Sequence, residues 1–99
     1  MKNLKIGNIL MSKLVYADGF EEVFFYQVIC RTQEEVILKE LVRNFSGKFS
    51  NLCEPAANLF LHREPLIRSI LSHDNHIEIN ENEIATLWDG TVQQIDYKE

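Results

Sequence analysis

The sequence predicts a mainly β domain, a small SH3-like or OB-like barrel of five to seven short strands with one or two short helical turns. Three observations lead to this fold class. β-branched and aromatic residues are gathered in short runs, glycine-containing turns separate the runs, and the length of 99 residues suits one domain. With 45% hydrophobic and 25% charged residues, the composition is that of a folded globular chain. Residues 1–99 are therefore taken as a single domain.

The first half of the chain is predicted to consist of antiparallel strands. Residues 4–14 alternate imperfectly and indicate a short strand, and residues 16–19 end in Asp-Gly, which favours a tight turn. Residues 23–30 give the strongest strand pattern, because β-branched and aromatic side chains fill both faces. Such a strand has to be covered on both sides. A further strand is predicted over 35–42, with a helix over 33–45 as the alternative.

The middle of the chain leaves helix and strand open. A glycine turn leads into a short return strand over 49–52. Pro55 could begin a short helix over 56–61, since proline suits the first position of a helix. Pro65 could begin a second helical turn over 66–71, or it could precede a strand.

The last quarter has clearer patterns. Residues 76–80 alternate polar and apolar, which is typical of a half-buried strand. Residues 84–88 form a second strand or one helical turn. The Asp89-Gly90 dipeptide then predicts a hairpin that pairs this segment with residues 91–97.

The predicted core includes Phe25 and Trp88, which are expected to be largely buried. Cys30 and Cys53 are expected to be buried free thiols, because nothing in the sequence indicates secretion. Residues 1–10 carry two lysines and are followed by no long apolar stretch, which argues against a signal peptide or a membrane span. A cytoplasmic setting is therefore expected.

The charge is unevenly distributed along the chain. The formal net charge is −5, from 10 basic and 15 acidic residues. Residues 1–50 hold seven basic and six acidic side chains, whereas residues 51–99 hold three and nine. A partner bound mainly through its phosphates needs an excess of Lys and Arg, so the total disfavours nucleic acid. The acidic C-terminal part is either a solvated surface or a patch that meets a basic groove on another protein.

Two sets of candidate binding residues follow from this distribution. The first would face Lys and Arg groups of a partner protein that has a basic surface, and it comprises Asp74, Glu78, Glu81, Glu83 and Asp89. The alternative is an aromatic and basic face that could stack single-stranded bases or bind a peptide. That face comprises Phe24, Tyr26, Arg31 and Lys39.

No catalytic motif is present in the sequence. It lacks a nucleophile elbow, a phosphate-binding loop, a dinucleotide fingerprint and paired cysteines with zinc spacing. Adjacent carboxylates such as Glu81 and Glu83 lie in predicted polar turns, where both stay ionised, so general acid–base chemistry is not expected. His62, His73 and His76, with Asp74, could supply zinc ligands, but their spacing is loose. The sequence therefore predicts no enzyme, no metal and no cofactor.

Several short blocks resemble a recurring group of small phage and plasmid proteins of about a hundred residues. The blocks are Ile6-Gly7-Asn8-Ile9-Leu10, Phe25-Tyr26-Gln27-Val28, Val36-Ile37-Leu38-Lys39-Glu40-Leu41 and Leu87-Trp88-Asp89-Gly90. The turn at 16–22 departs from the group, being longer and lacking its Asn. The resemblance implies a small β-barrel encoded on mobile elements, with no activity to transfer residue by residue. Together with size and charge, it leads us to expect a non-enzymatic protein that inhibits a host defence by stoichiometric binding, as anti-CRISPR proteins do.

Overall fold

A computed structural model describes residue 1 and residues 3–95 of the chain. Within these residues the regular structure is all β, and no helix occurs that could cross a bilayer. The mainly β prediction is confirmed, whereas the predicted helical turns are wrong. The strands are β1 (Ile9–Val15), β2 (Glu21–Arg31), β3 (Glu35–Ser46), β4 (Leu52–Phe60), β5 (Leu66–Ser69), β6 (Ile77–Asn80), β7 (Glu83–Leu87) and β8 (Gln93–Gln94).

The strands form one antiparallel sheet in the order β6-β7-β1-β2-β3-β4-β8, with β5 beside β3. Strand β3 is long enough to carry two neighbours in succession along one edge. Its first residues, from Glu35 to Leu38, pair with β5, and its later residues pair with β4 up to Ser46. On its other edge β3 pairs with β2. This arrangement confirms a strand over 35–42 and excludes the helical alternative there.

The sheet curls but remains open, so the closed barrel and the count of five to seven strands are wrong. The opening lies between β5 and β6, because no backbone pairing among the described residues joins these two strands. Each has only four residues. The side chain of Arg68 spans the gap instead, and its Nε donates a hydrogen bond to the carbonyl oxygen of Ile79 at 2.7 Å. A side chain occupies the position where a backbone ladder would close the barrel.

Strand β2 has a hydrophobic core on each face, as its two apolar faces predict. One core gathers Val28 with residues of β1, β3, β6 and β7 inside the curl of the sheet. The other lies under β4 and β8 and is centred on Phe25, which is fully buried. Trp88 packs edge-on against Phe25 with ring centroids 5.9 Å apart. It is only half-buried, because its Nε1 reaches out to donate to the carbonyl oxygen of Thr91.

The predicted helix over 56–61 is replaced by a bulged strand. β4 runs through Pro55, and its register against β3 shifts just beyond that residue. Proline is tolerated at such a bulge because it has no N–H to contribute to the ladder. Asn58 adopts a φ of 63°, and its backbone N–H donates to Oε1 of the buried Gln27 at 2.9 Å. The side chain of Gln27 therefore accepts the hydrogen bond from a backbone N–H that, in a helix, would donate to a backbone carbonyl oxygen.

The chain after β7 does not form the predicted hairpin. β8 pairs with β4, so the expected pairing of 84–88 with 91–97 is wrong. Tyr97 lies outside the described residues. Ile95 is buried in the second core, and its N–H donates to the carbonyl oxygen of Asn51. Burial of Ile95 under β4 draws the segment away from β7.

Both cysteines are free, as the sequence predicts. Cys53 is buried in the second core, but Cys30 is exposed, so its predicted burial is wrong. A shift in the pairing of β2 with β3 follows Val28, and Cys30 then lies opposite Ile37. A β-bulge of this kind changes the direction in which the following side chains point.

Candidate functional site

The candidate site is the hairpin of β6 and β7 at one edge of the sheet, with the segments that flank it. Residues 73–89 contain five acidic residues and neither Lys nor Arg. In β6 the buried Ile77 and Ile79 alternate with outward-facing residues, and this places Glu78 in solvent. Glu81 is exposed in the turn that joins the two strands. The alternation of apolar and polar residues in β6 brings Glu78 to the surface, and the polar turn after β6 brings Glu81 there, as the sequence predicts.

Glu83 does not belong to this surface. Its side chain points into the first core, and the residue is only 8% exposed. Its Oε2 accepts hydrogen bonds from Ser12 Oγ at 2.6 Å and from Tyr26 Oη at 2.5 Å. Burial raises the pKa of Tyr26, and the hydrogen bond to Glu83 raises it further. Because Glu83 is buried, it is not part of the exposed acidic face predicted for it. Tyr26 is also buried, so it is not part of an exposed aromatic face.

The other two predicted acidic residues lie at the end of the hairpin opposite Glu81. Asp74 is exposed in the segment before β6, and Asp89 is exposed just after β7. Because β6 and β7 are antiparallel, these two segments are neighbours. Oδ1 of Asp89 accepts hydrogen bonds from the hydroxyl and the backbone N–H of Thr91, and these hold the pKa of Asp89 below its ordinary value. The hairpin thus carries exposed carboxylates along its whole length.

A histidine pair lies beside Glu78. Nε2 of His73 is 2.6 Å from Oε1 of Glu78, and the rings of His73 and His76 stack with centroids 4.1 Å apart at 21°. Both imidazoles are half-buried. From the sequence, Asp74 and His62 are the other candidate zinc ligands. His62 lies away from the histidine pair, in the connection between β4 and β5. Glu78 is not among the ligands predicted from the sequence, although the alternation over residues 76–80 places His76 and Glu78 on the same face of the strand.

The predicted aromatic and basic residues do not share one face. Tyr26 is buried, and Phe24 is half-buried against the first core. The guanidinium group of Arg31 donates to the carbonyl oxygens of Leu4 and Thr32, so it is engaged with the protein's own backbone.

A different set of basic and aromatic residues lies along β3 and the hairpin that follows it. The guanidinium of Arg43 lies 4.9 Å from the ring centroid of Phe24 and 5.2 Å from that of Phe45. Nζ of Lys39 lies 5.5 Å from the ring centroid of Phe60, and Nζ of Lys48 lies 5.5 Å from the ring centroid of Phe49. These are cation–π distances. The contacts of Arg43 with Phe24 and of Lys39 with Phe60 depend on strand register, whereas those of Arg43 with Phe45 and of Lys48 with Phe49 join residues that are near in the sequence.

Comparison with known proteins adds no assignment to this geometry. No protein-family model, no curated protein and no solved structure matches the chain. The function is therefore inferred from the arrangement of the side chains described above.

Proposed function

We propose that this chain is a phage or mobile-element accessory protein that binds a host protein stoichiometrically and without catalysis. Its acidic hairpin would occupy a basic surface that otherwise holds nucleic acid, as an inhibitor of the anti-CRISPR type does. The observation that carries the proposal is the exposure of Asp74, Glu78, Glu81 and Asp89 along β6, β7 and their flanks, in a segment without Lys or Arg.

The distribution of ion pairs supports this use of the hairpin. Elsewhere in the molecule, three carboxylates are paired with cations of the same chain: Glu21 with Lys13 at 3.0 Å, Glu22 with Arg43 at 3.7 Å and Glu40 with Arg63 at 2.9 Å. Within residues 73–89, the carboxylate of Glu78 contacts the imidazole of His73. Because this segment has no Lys or Arg, the negative charge of the hairpin is available to an external basic surface.

An acidic surface of this kind acts mainly on association. Complementary potentials steer a partner into contact and raise the association rate, and salt screens the effect. We therefore expect the association rate with a basic partner to fall as ionic strength rises.

The assignment to mobile elements is supported by the sequence blocks that resemble small phage and plasmid proteins. Residues of three of these blocks are in one core of the fold. Ile9, Phe25 and Trp88, each from a different block, all belong to the second core. The N–H of Trp88 also donates to the carbonyl oxygen of Ile9 at 2.9 Å. The blocks are thus explained by packing, and the binding residues lie mostly outside them.

The proposal is tested by reversing one exposed charge. Glu81→Lys changes the hairpin turn, and Glu64→Lys makes the same change of charge in the exposed connection between β4 and β5. Binding is measured by surface plasmon resonance against a panel of purified CRISPR nucleases, together with inhibition of DNA cleavage. For a nuclease that binds the unaltered protein, Glu81→Lys should weaken binding about tenfold or more. Glu64→Lys should have a much smaller effect.

Two results would contradict the acidic-face mechanism. In the first, Glu81→Lys binds and inhibits as well as the unaltered protein. In the second, both reversals weaken binding equally, which would mean that only total charge matters. Failure of the unaltered protein to bind any of the nucleases would reject the anti-CRISPR form of the proposal.

A second candidate function is the binding of single-stranded nucleic acid or a peptide by the cation–π residues of β3 and its hairpin. It is favoured by Phe49, which is 75% exposed beside Lys48. Fluorescence anisotropy with a labelled oligonucleotide at low ionic strength tests it. Binding that weakens with salt and is reduced by Phe49→Ala would support this function, and no change in anisotropy would remove the nucleic-acid form of it.

A further inference from the structure

We propose that His73, His76 and Glu78 form a binding site for a divalent transition metal, with Zn²⁺ as the best-suited ion. The ligand atoms of these three residues all lie within 4.8 Å of one another. The inference shares Glu78 with the partner-binding proposal but rests on a different observation, the two imidazoles beside that carboxylate, and it departs from the sequence-based expectation that the chain binds no metal.

The donor set is one that zinc uses. Zn²⁺ binds imidazole nitrogen and carboxylate oxygen at about 2.0–2.2 Å, and three protein ligands leave one tetrahedral position open. Two ligands of one such ion lie about 3.4 Å apart in that geometry. Nε2 of His73 and Oε1 of Glu78 are already closer than this, at 2.6 Å. Small rotations of side chains would therefore let an ion enter between the three groups.

The backbone holds the ligands in place. Ile77 is fully buried and lies between His76 and Glu78, and Glu78 is paired with Ile84 across the hairpin. At the other end of the segment, the amino group of Met1 donates to the carbonyl oxygens of Ile70 and His73 at 2.7 Å each. Both ends of the ligand segment are thus anchored, and binding a metal would require little ordering of the chain.

An ion pair alone does not explain the cluster. The contact of His73 with Glu78 needs no second imidazole, yet the ring of His76 stacks on that of His73 at 4.1 Å. Neutral imidazoles around a divalent cation satisfy all three groups at once, because both rings then donate lone pairs and the carboxylate faces a positive charge.

The site would be open on one side. Both imidazoles are half-buried, whereas the side chain of Glu78 is 61% exposed. The fourth position therefore faces solvent, where water or a donor group from another molecule can complete the coordination.

Metal titration of the untagged protein tests the inference, since a polyhistidine tag binds the same ions and an N-terminal extension would remove the amino group of Met1. Isothermal titration calorimetry with Zn²⁺ gives affinity and stoichiometry, and the visible spectrum of added Co²⁺ reports the coordination geometry. We expect saturable binding of one equivalent. His76→Ala and Glu78→Gln should each raise the Kd at least about tenfold, because loss of even an outer-shell partner costs 10–100-fold.

The matched controls are His62→Ala and Glu81→Gln, which change the same residue types at exposed positions outside the cluster. Both should bind Zn²⁺ like the unaltered protein. The inference is overturned if the unaltered protein shows no saturable binding, if His76→Ala binds equally well, or if His62→Ala weakens binding as much as His76→Ala. Circular dichroism of each variant confirms that a loss of binding is not a loss of fold. Since the partner-binding test alters Glu81 and Glu64, which both lie outside the cluster, the two proposals can fail separately.

Discussion

The hairpin of β6 and β7 and the hairpin of β3 and β4 lie toward opposite ends of the strand order, and they use charge in opposite ways. On the first, exposed carboxylates stand without Lys or Arg in their segment. On the second, Arg43 and Lys48 lie against aromatic rings of the same chain. The acidic hairpin is thus separated in the strand order from the hairpin in which cations lie against aromatic rings. The comparison teaches that basic side chains of the β3–β4 hairpin are engaged within the molecule, whereas all but one of the acidic side chains in residues 73–89 face outward.

The β6–β7 hairpin packs on the first core and the β3–β4 hairpin contributes to the second, and the largest expected effect is disruption of the second core. Phe25→Ala should destabilise the protein by about 3–5 kcal/mol, because a fully buried ring leaves a cavity. Phe49→Ala, at the exposed tip between β3 and β4, should change stability by less than about 0.5 kcal/mol. Urea denaturation followed by Trp88 fluorescence measures both. A large loss for Phe49→Ala would mean that the β3–β4 hairpin tip is part of the core.

Within the acidic hairpin, the internal and external carboxylates should behave differently. Glu83→Ala removes the acceptor of two hydroxyl groups, those of Ser12 and Tyr26, and should cost about 2–4 kcal/mol. Glu81→Ala should be nearly neutral, since that side chain is in solvent. Thermal unfolding of both variants checks this. Equal effects would contradict the division of the hairpin into an inner and an outer carboxylate.

The same buried network predicts a loss of stability in strong alkali. The pKa of Tyr26 is raised in the folded state, so above about pH 10 the unfolded chain releases this proton while the folded chain retains it. Stability should therefore be unaffected by this group below about pH 10 and should fall above it, by up to about 1.4 kcal/mol per pH unit. Denaturation at increasing pH measures the slope, and Tyr26→Phe should reduce it. An unchanged slope in that variant would show that other groups cause the alkaline loss.

Much of the fold could be predicted because its signals are local. The two apolar faces of β2 and the alternation in β6 depend on residues within each strand. The turn before β2 is also local: Gly19 has a φ of 84°, and the side chain of Asp18 accepts from the N–H of Phe20. The bulge of β4 could not be predicted in this way, because it depends on a hydrogen bond to Gln27, 31 residues earlier.

In the candidate site, too, local signals predict some features and distant contacts decide others. The exposure of Glu78 and Glu81 follows from strand alternation and from a polar turn. The burial of Glu83 does not, because its donors lie 71 and 57 residues away and the register of β6 against β7 shifts near Asn80. The stacking of His73 on His76 also required the path of the chain into β6.

The sequence by itself determined the β character, the division of charge between the two halves and the absence of recognisable catalytic motifs. These properties are composition and short-range periodicity, which need no knowledge of neighbours. Only the tertiary structure decided that the sheet stays open, that one carboxylate of the hairpin turns inward and that two imidazoles meet Glu78. The first two depend on pairing and register between distant strands, which arise from packing of the whole chain, and the third depends on the path of residues 73–76 into β6.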